Sequence, residues 1–201
     1  MGKQLIILDL DGTCYPRDSA LTRIIDDRTT TFLVKRAGVE PADLDAMERR
    51  NPSILEALDL LGIPRRQWAD AVYQDLPYRR LLHPDPALAL ALSRIGGPRI
   101  LVTMAPGRHA IEVLDALGLA AMIDRTISVC DNEFHTDKHE IYRELVADFG
   151  ATEATVFGDN VALDLDPASA LGCVCVHIDP GGGRGGAYPV YPDLARALVA
   201  L

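Results

Sequence analysis

The segment Leu5-Ile6-Ile7-Leu8-Asp9-Leu10-Asp11-Gly12-Thr13 decides the fold of this chain. Four apolar residues lead directly into two aspartates, and a glycine then ends the run. A short, continuously apolar stretch of this kind is typical of a parallel strand that is buried on both faces. The two carboxylates are therefore expected at the carboxyl end of a central strand, which is where open α/β sheets bind ligands.

The acidic pair Asp9 and Asp11 requires more than a turn to explain it. Asp, Gly and Thr are ordinary turn residues, which would account for one aspartate. A carboxylate directly after four buried residues is costly unless a cation balances it, and two such carboxylates also repel each other. Because Mg²⁺ prefers hard oxygen ligands, the pair predicts a magnesium site at the end of the first strand.

The composition is that of a globular, acidic protein. The chain has 201 residues, of which 48% are hydrophobic, and a formal net charge of -9. This length is sufficient for a core domain and a smaller second one. An acidic chain does not attract nucleic-acid backbones or anionic membranes, and no apolar stretch is long enough to span a bilayer. A nucleic acid polymer and a membrane are therefore not expected as partners.

The cysteines and the first residues predict a reduced, cytoplasmic protein. Met1-Gly2-Lys3-Gln4 does not resemble the start of a signal peptide. Cys173 and Cys175 alternate along a predicted strand and would face the same side, where core packing is favoured. A zinc site would need more ligands than this spacing supplies.

The segment 19–82 shows helical periodicity without a convincing strand. A first helix is expected around 24–34, and Pro41, Pro52 and Pro64 lie where further helices would begin. We therefore predict a helical domain over 19–82, inserted into an α/β domain that comprises 1–18 and 83–201.

The rest of the chain alternates between helix and strand, which favours a parallel sheet with right-handed crossovers. Predicted strands cover 99–103, 125–129, 154–158 and 173–178, and predicted helices cover 84–95, 108–117, 138–149 and 162–171. The glycine-rich segment 181–186 lacks the Lys-Ser/Thr ending of a nucleotide-binding loop. It is interpreted as a flexible linker to a final helix.

Three strands of this pattern end in a polar residue: Asp9, Thr103 and Asp159. If the strands are parallel neighbours, these side chains meet at one edge of the sheet. Thr103 could bond its own turn, or it could join the free amides of the helix after Ala105-Pro106-Gly107 in a phosphate cradle. Asp159 could cap the next helix, although beside Asp9 a metal ligand is the better explanation.

Lys138 lies near a helix start, where the helix dipole disfavours a positive charge. It could be a solvated surface lysine, or its ammonium could neutralise phosphate oxygens. Asp137 is a plausible cap of the same helix. His83, His109 and His135 have no supporting cluster in the sequence, so surface or capping roles are expected for them.

Taken in order, Asp9-Leu10-Asp11-Gly12-Thr13, Thr103, Lys138 and Gly158-Asp159 with Asp164 resemble the four motifs of the haloacid dehalogenase (HAD) superfamily, most of whose members are phosphatases. The resemblance implies a Rossmann-like parallel sheet flanked by helices, with the helical insertion as a cap domain. Shorter segments, Leu76-Pro77-Tyr78 and 105–110, resemble the pyrimidine 5'-nucleotidase-like branch. Met104 departs from the asparagine that is frequent there, and His139 departs from a common proline.

The resemblance implies a magnesium-dependent phosphomonoester hydrolase that works through an aspartyl-phosphate. Asp9 would be the nucleophile and Asp11 the general acid and base. The substrate would be a nucleoside 5'-monophosphate or a similar small phosphorylated metabolite. Asp11 counts against dehalogenation, because that branch lacks an acid at this position. A phosphosugar mutase and a non-catalytic regulator that binds a phosphometabolite are the alternatives.

Further roles follow from the same resemblance. The expected metal ligands are Asp9, Asp159 and the main-chain carbonyl of Asp11. Asp164 would orient Lys138 or the metal's water molecules, with Asn160 beside it. The expected phosphate-binding residues are Thr103, Met104 and Lys138. Because polar groups close to the catalytic strand in sequence could select the substrate, the last candidates are Tyr15, Arg17 and Arg28.

Overall fold

The computed structural model describes residues 4–50, 53–132, 135, 137–150, 154–182 and 186–200. These residues contain a six-stranded sheet in the order β3-β2-β1-β4-β5-β6, and every pair of neighbouring strands is parallel. The strands are β1 (Leu5–Leu8), β2 (Arg99–Thr103), β3 (Arg125–Ser128), β4 (Ala154–Gly158), β5 (Val174–Ile178) and β6 (Val190–Tyr191). The predicted α/β fold with a parallel sheet is confirmed.

Strand β1 lies in the middle of the sheet and is fully buried. Its four residues expose 0% of their surface, as expected for a strand covered on both faces. Leu8 is level with Leu101 of β2 and Phe157 of β4. The amide of Asp9 still donates to the Phe157 carbonyl at 2.9 Å. This register brings the carboxyl ends of β1, β2 and β4 to one edge.

Between β1 and residue 85, all the regular elements that the structure describes are helices. These helices are α1 (Ala20–Arg36), α2 (Pro41–Arg50), α3 (Ile54–Leu60), α4 (Arg65–Tyr73) and α5 (Tyr78–Leu81). Ser19 and Ser53 cap α1 and α3 by accepting from the amides of Thr22 and Leu55. Pro41 begins α2 and Pro64 precedes α4, as predicted, whereas Pro52 lies outside the described residues. The helical character is confirmed, and the boundaries of a separate domain stay a prediction.

The remaining helices pack around the sheet: α6 (Pro86–Ser93), α7 (Gly107–Ala116), α8 (His139–Phe149), α9 (Asp166–Ala170) and α10 (Leu194–Val199). The predicted helix over 162–171 is divided, because a wide π-type turn at Val161–Leu165 precedes α9. The edge strand β6 was not predicted, since two residues are too short for a periodic signal. Part of the predicted linker, residues 183–185, lies outside the described residues.

Arginine side chains tie the helical insertion to the α/β part. Arg65 at the start of α4 donates to the carbonyls of Val129, Asn132 and His135 at 3.2, 3.1 and 2.6 Å. Arg108 in α7 donates to the Ala69 carbonyl at 2.6 Å. Because hydrogen bonds from a charged donor are stronger than neutral ones, these contacts hold the insertion over the carboxyl edge of the sheet.

The four cysteines are buried free thiols, and the predicted core packing of Cys173 and Cys175 is confirmed. Across the described part of the chain, no helix combines the length and the apolar character needed to cross a membrane.

Gly97 and Gly96 give a matched test of the packing between β1 and β2. A Cβ on Gly97 would lie 2.0 Å from the Gln4 carbonyl oxygen and its φ is +115°, whereas a Cβ on Gly96 meets nothing within 4 Å. We expect Gly97→Ala to lower the free energy of unfolding by about 1–3 kcal/mol or more, and Gly96→Ala to change it by less than about 1 kcal/mol. Urea denaturation of both variants measures the difference, and equal effects would contradict the described backbone.

Candidate active site

The carboxyl edge of the sheet opens into a cavity of about 500 Å³. The predicted residues Asp9, Asp11, Thr103 and Asp159 all line it, together with Asp164. Residues of α1 and α4 form the opposite wall, among them Ile25, Trp68 and Tyr73. Residues that are far apart in the sequence therefore converge as the parallel topology requires.

The Lys138 side chain lies between two carboxylates. Its Nζ is 2.6 Å from Asp9 Oδ1 and 2.7 Å from Asp164 Oδ1, and the residue is 1% exposed. Burial by itself lowers the pKa of Lys138, but the charges of Asp164 and Asp9 outweigh it, so the pKa lies well above the ordinary value. The interpretation as a solvated surface lysine is therefore wrong. Asp137 accepts from the His139 amide at 2.9 Å, so it satisfies the first amide of the helix from one residue before the cap position, which Lys138 occupies.

Both carboxylate oxygens of Asp9 have a partner. Oδ1 accepts from Lys138 and Oδ2 accepts from the Thr13 hydroxyl at 3.0 Å. Burial raises the pKa of Asp9, the charge of Asp164 raises it further, and Lys138 only partly opposes them. A second cation beside Asp9 would therefore stabilise its ionised form.

Three aspartates form a group that fits a hard divalent cation. Asp9, Asp159 and Asp164 each place a carboxylate oxygen within 4.8 Å of the others. Burial and then the charge of Asp164 raise the pKa of Asp159 to about 6. Three carboxylates against one ammonium leave an excess of negative charge, and oxygen donors of this kind suit Mg²⁺. The Asp11 carboxylate is outside this group, and its main-chain carbonyl as a ligand stays a prediction.

Two glycines allow the loops after β1 and β4 to approach each other closely enough to bring the three aspartates together. Gly12 has a φ of +88°, and a Cβ there would lie 2.0 Å from Asp159 Oδ2. A Cβ on Gly158 would lie 2.4 Å from the Asp164 Cβ. Any larger residue at Gly12 would therefore push Asp159 away from Asp9.

The π-type turn after β4 orients Asp164. The Asn160 amide donates to Asp164 Oδ2 at 3.0 Å, and the Asn160 side chain accepts from the Leu163 amide at 3.1 Å. Oδ1 of Asp164 is thereby left for Lys138. Asn160 therefore holds Asp164 in place, and its supporting role in a reaction stays a prediction.

The phosphate cradle expected after β2 differs in one respect. Thr103 is 0% exposed and its Oγ1 accepts from the Ala105 amide at 3.0 Å, so it does bond its own turn. The Gly107 amide at the start of α7 donates to Asp131 at 2.8 Å. The Gly107 amide is therefore not free, because Asp131 already accepts from it, and the phosphate cradle as a whole stays a prediction. Met104 lines the cavity, and its contact with phosphate stays a prediction.

Asp11 has partners different from those of Asp9. Its Oδ1 accepts from the Tyr15 hydroxyl and lies 2.9 Å from His109 Nε2. Burial raises the pKa of Asp11, but the charge and hydrogen bond of His109 and the hydrogen bond of Tyr15 outweigh it, so the pKa is lower than usual. The two aspartates of one motif therefore lie in opposite electrostatic surroundings.

The expected surface or capping role of His109 is wrong. His109 is 0% exposed, and besides Asp11 it contacts the Tyr78 hydroxyl through Nδ1 at 3.1 Å. His109 and Asp11 are 98 positions apart in the sequence. They meet because β2 is the neighbour of β1 in the sheet and leads directly into α7. A possible signal was the place of this histidine in the first turn of the helix that follows β2. His83 is exposed, as expected, and His135 is half-buried.

The three candidates for substrate selection have different positions. Arg17 lines the cavity. Arg28 lies outside the lining and donates to the carbonyls of Val72 and Gln74 at 2.9 and 2.6 Å. Tyr15 is buried against Asp11. Arg28 and Tyr15 thus have partners within the protein, and their role in substrate selection stays a prediction.

The sequence matches a known protein family over most of its length. A model of the haloacid dehalogenase-like hydrolase family matches residues 3–172. The chain belongs to this family. No curated protein matches the chain significantly.

Solved structures share the fold of this HAD hydrolase over their full length. A HAD phosphatase from Thermococcus onnurineus is 18% identical with a TM-score of 0.62, over 100% of this chain and 97% of that one. The HAD hydrolase YfnB from Bacillus subtilis, bound to magnesium, is 14% identical with a TM-score of 0.62, over 100% and 99%. The 2-haloacid dehalogenase from Pseudomonas syringae pv. Tomato DC3000 is 17% identical with a TM-score of 0.56, over 100% and 99%.

The raised pKa of Asp159 predicts how magnesium stabilises the protein at different pH. Since folding raises this pKa to about 6, a bound proton stabilises the fold below that pH, and the ionised carboxylate is available to a cation only above it. At pH 7.5, magnesium at 100 times its Kd should stabilise the protein by about 2.7 kcal/mol, and at pH 5 by much less. Thermal unfolding with MgCl₂, against NaCl of equal ionic strength, measures both.

Asp159→Asn serves as the control for this measurement. The variant should lose most of the magnesium-dependent rise in Tm at pH 7.5, because one anionic ligand is gone. An equal rise in Tm at both pH values, or an undiminished rise in the variant, would contradict a cation site at Asp159.

Proposed function

We propose that this HAD hydrolase is a magnesium-dependent phosphatase that acts on small phosphomonoesters through an aspartyl-phosphate. One observation carries the proposal: two aspartates of one motif face the same cavity with opposite surroundings. Asp9 lies beside Lys138 in the acidic group, and Asp11 lies beside His109 and Tyr15. Such a division suits a nucleophile and a separate proton carrier.

In the first half of the reaction, an Asp9 oxygen attacks phosphorus. A bond forms between this oxygen and phosphorus while the bond from phosphorus to the leaving oxygen breaks. Asp11 gives its proton to the leaving oxygen, so that a neutral alcohol departs. The low pKa of Asp11 in the free protein is compatible with this role, because an arriving phosphate dianion raises the pKa of a neighbouring carboxyl group.

In the second half, water attacks the phosphorus of the aspartyl-phosphate. Asp11 now accepts a proton from the water, and the bond between Asp9 and phosphorus breaks. Inorganic phosphate leaves, and Asp9 regains the partners that it has in the free protein. We expect Lys138 and the Thr103 hydroxyl to contact the phosphoryl oxygens.

Asp9, Asp159 and Asp164 would hold the magnesium ion, which supplies positive charge against the repulsion between the Asp9 carboxylate and the phosphate. Lys138 contributes in the same sense, since its ammonium contacts both Asp9 and Asp164 and already neutralises part of the acidic group.

The surroundings of Asp11 favour a phosphoester over a haloacid as substrate. The fold alone does not decide, because a 2-haloacid dehalogenase shares it. Displacement of halide leaves an anion that needs no proton, so a dehalogenase has no use for a carboxyl group at this place. The hydrogen bonds that hold Asp11 therefore support the phosphatase.

The charges of the cavity favour hydrolysis over the transfer of a phosphoryl group between two positions of a sugar. Among its described lining residues, Arg17 is the single basic side chain, against five aspartates. A phosphosugar mutase must bind a sugar bisphosphate, and its second phosphate would need further positive charge. This surplus of carboxylates supports a substrate with one phosphate.

A nucleoside 5'-monophosphate is the substrate class that we favour. Trp68 and Tyr73 present aromatic rings to the cavity, and Ile25 adds an apolar surface. Thr29 and Asp26 lie on the same wall and offer hydrogen-bonding groups. An aromatic wall with a few polar groups suits a base and a ribose. The helices of 19–82, which supply this wall, would act as a cap domain that selects the substrate.

The first experiment measures phosphate release across nucleotides, sugar phosphates and pyridoxal phosphate, with and without magnesium. Asp9→Asn should lower the rate by about 10³-fold or more, because loss of a nucleophile costs up to about 10⁶. The variant should stay folded, since the shape of the side chain is kept and Asp164 still pairs with Lys138. Asp18→Asn, at an exposed aspartate, is the matched control and should keep wild-type activity.

Several results would contradict the phosphatase. Full activity in Asp9→Asn would exclude Asp9 as the nucleophile. Conversion of a sugar bisphosphate to an isomer without net phosphate release would indicate the mutase. Tight binding of a monophosphate without release from any compound would indicate a regulator.

Arg17 offers a test of substrate selection by the cavity. Arg17→Ala should change the order of kcat/KM among the monophosphates by about tenfold, since a positive charge next to the leaving group is lost. Arg23→Ala, at an exposed arginine of α1, should leave the order unchanged. An unchanged order in Arg17→Ala would count against contact between Arg17 and the substrate.

A further inference from the structure

A buried chain of side chains leads from the helical insertion to Asp11. The Tyr78 hydroxyl of α5 contacts His109 Nδ1 at 3.1 Å, and His109 Nε2 contacts Asp11 Oδ1 at 2.9 Å. The ring of Tyr73 packs against the His109 ring with centroids 4.8 Å apart and planes at 65°. His109 is therefore held by partners on both nitrogens and by a ring on one side.

The direction of the contact between His109 and Asp11 is fixed. A carboxylate oxygen can only accept, so Nε2 of His109 carries the hydrogen that points to Asp11. When the imidazole is neutral, Nδ1 accepts from the Tyr78 hydroxyl, and when it is charged, Nδ1 donates to the Tyr78 oxygen. All three groups are satisfied without a buried unpaired atom, which accounts for a histidine that is 0% exposed.

The two oxygens of Asp11 are thereby made different. Oδ1 accepts from two donors, His109 and Tyr15. Among the described residues, no hydrogen bond reaches Oδ2, although the Asp11 side chain is 22% exposed and lines the cavity. Two donors on one oxygen leave the other as the site for a proton, and they fix the rotation of the carboxyl group.

We infer that His109 is a positioning residue for the proton transfer of Asp11, with Tyr78 as the group that holds its ring. His109 fixes Asp11 so that Oδ2 faces the leaving oxygen. His109 does not touch the reacting atoms itself. The inference rests on the proposed phosphatase function and adds to it the residue that orients the general acid. Tyr73 and Tyr78 belong to the insertion. The position of the insertion on the α/β part therefore affects the orientation of Asp11 through His109.

The test compares two esters of similar shape that differ in their need for a proton. The para-nitrophenyl phosphate loses a phenolate that leaves unprotonated, whereas para-nitrobenzyl phosphate loses an alkoxide that must be protonated. For each enzyme, the ratio of kcat/KM for the benzyl ester to kcat/KM for the phenyl ester is measured. This ratio reports the step in which the leaving group departs, and it does not depend on the fraction of folded protein.

His109→Ala should lower this ratio about tenfold or more, within the roughly 10²–10⁴-fold that a general acid contributes. His109→Gln keeps an N–H donor at the distance of Nε2 and should restore most of the ratio. Leu114→Ala, which truncates another buried residue of α7, is the control for lost packing and should keep the wild-type ratio.

The possible results separate this inference from the proposed function. A wild-type ratio in His109→Ala overturns the inference, and so does an equal drop in Leu114→Ala. If His109→Gln does not restore the ratio, the inference is also overturned, because the drop in His109→Ala would then come from the lost volume of the ring and not from the lost N–H donor. A wild-type protein that releases phosphate from neither ester, nor from the broader set of monophosphates, would instead contradict the phosphatase.

Discussion

The ion pairs of Lys138 with Asp9 and Asp164 hold the site together. Three elements that are distant in the sequence supply these residues: the end of β1, the start of α8 and the turn after β4. A buried charge is tolerated only when it is paired, and breaking such a pair typically costs about 3–5 kcal/mol. The ammonium therefore links the three loops, and the remaining negative charge of the acidic group creates the need for a further cation.

The two aspartates of the first motif have identical side chains, but their different surroundings give them different properties. Burial and then the neighbouring carboxylates raise the pKa of Asp9. Burial also raises the pKa of Asp11, but His109 and Tyr15 outweigh it and lower that pKa. The two aspartates are only two positions apart, yet one faces the acidic group and the other faces the helical insertion. The pleat of an extended chain alone would place them on the same side, so the turn at Gly12 and the packing of α7 create the difference.

Much of the fold could be predicted because its signals are local. The apolar run of β1, the alternation after β2 and the prolines at helix starts each predict their own element. The residues at the strand ends could be predicted because parallel strands share one edge. His109 could not be predicted, since its partners come from β1 and α5 and no local pattern encodes that meeting. The partners of the Gly107 amide and of Arg28 could not be predicted for the same reason: Asp131, Val72 and Gln74 reach them only in the folded chain.

The central claim is that Asp9 carries the phosphoryl group during turnover. The most direct measurement is to quench the protein with acid during steady-state hydrolysis of its best monophosphate, digest it with pepsin at acidic pH and locate the phosphoryl group by mass spectrometry. Mild acid slows the hydrolysis of an acyl phosphate, so the modification should be found on Asp9 and be absent without substrate. A phosphoryl group on another residue, or turnover with no modified peptide under conditions that accumulate the intermediate, would contradict the mechanism.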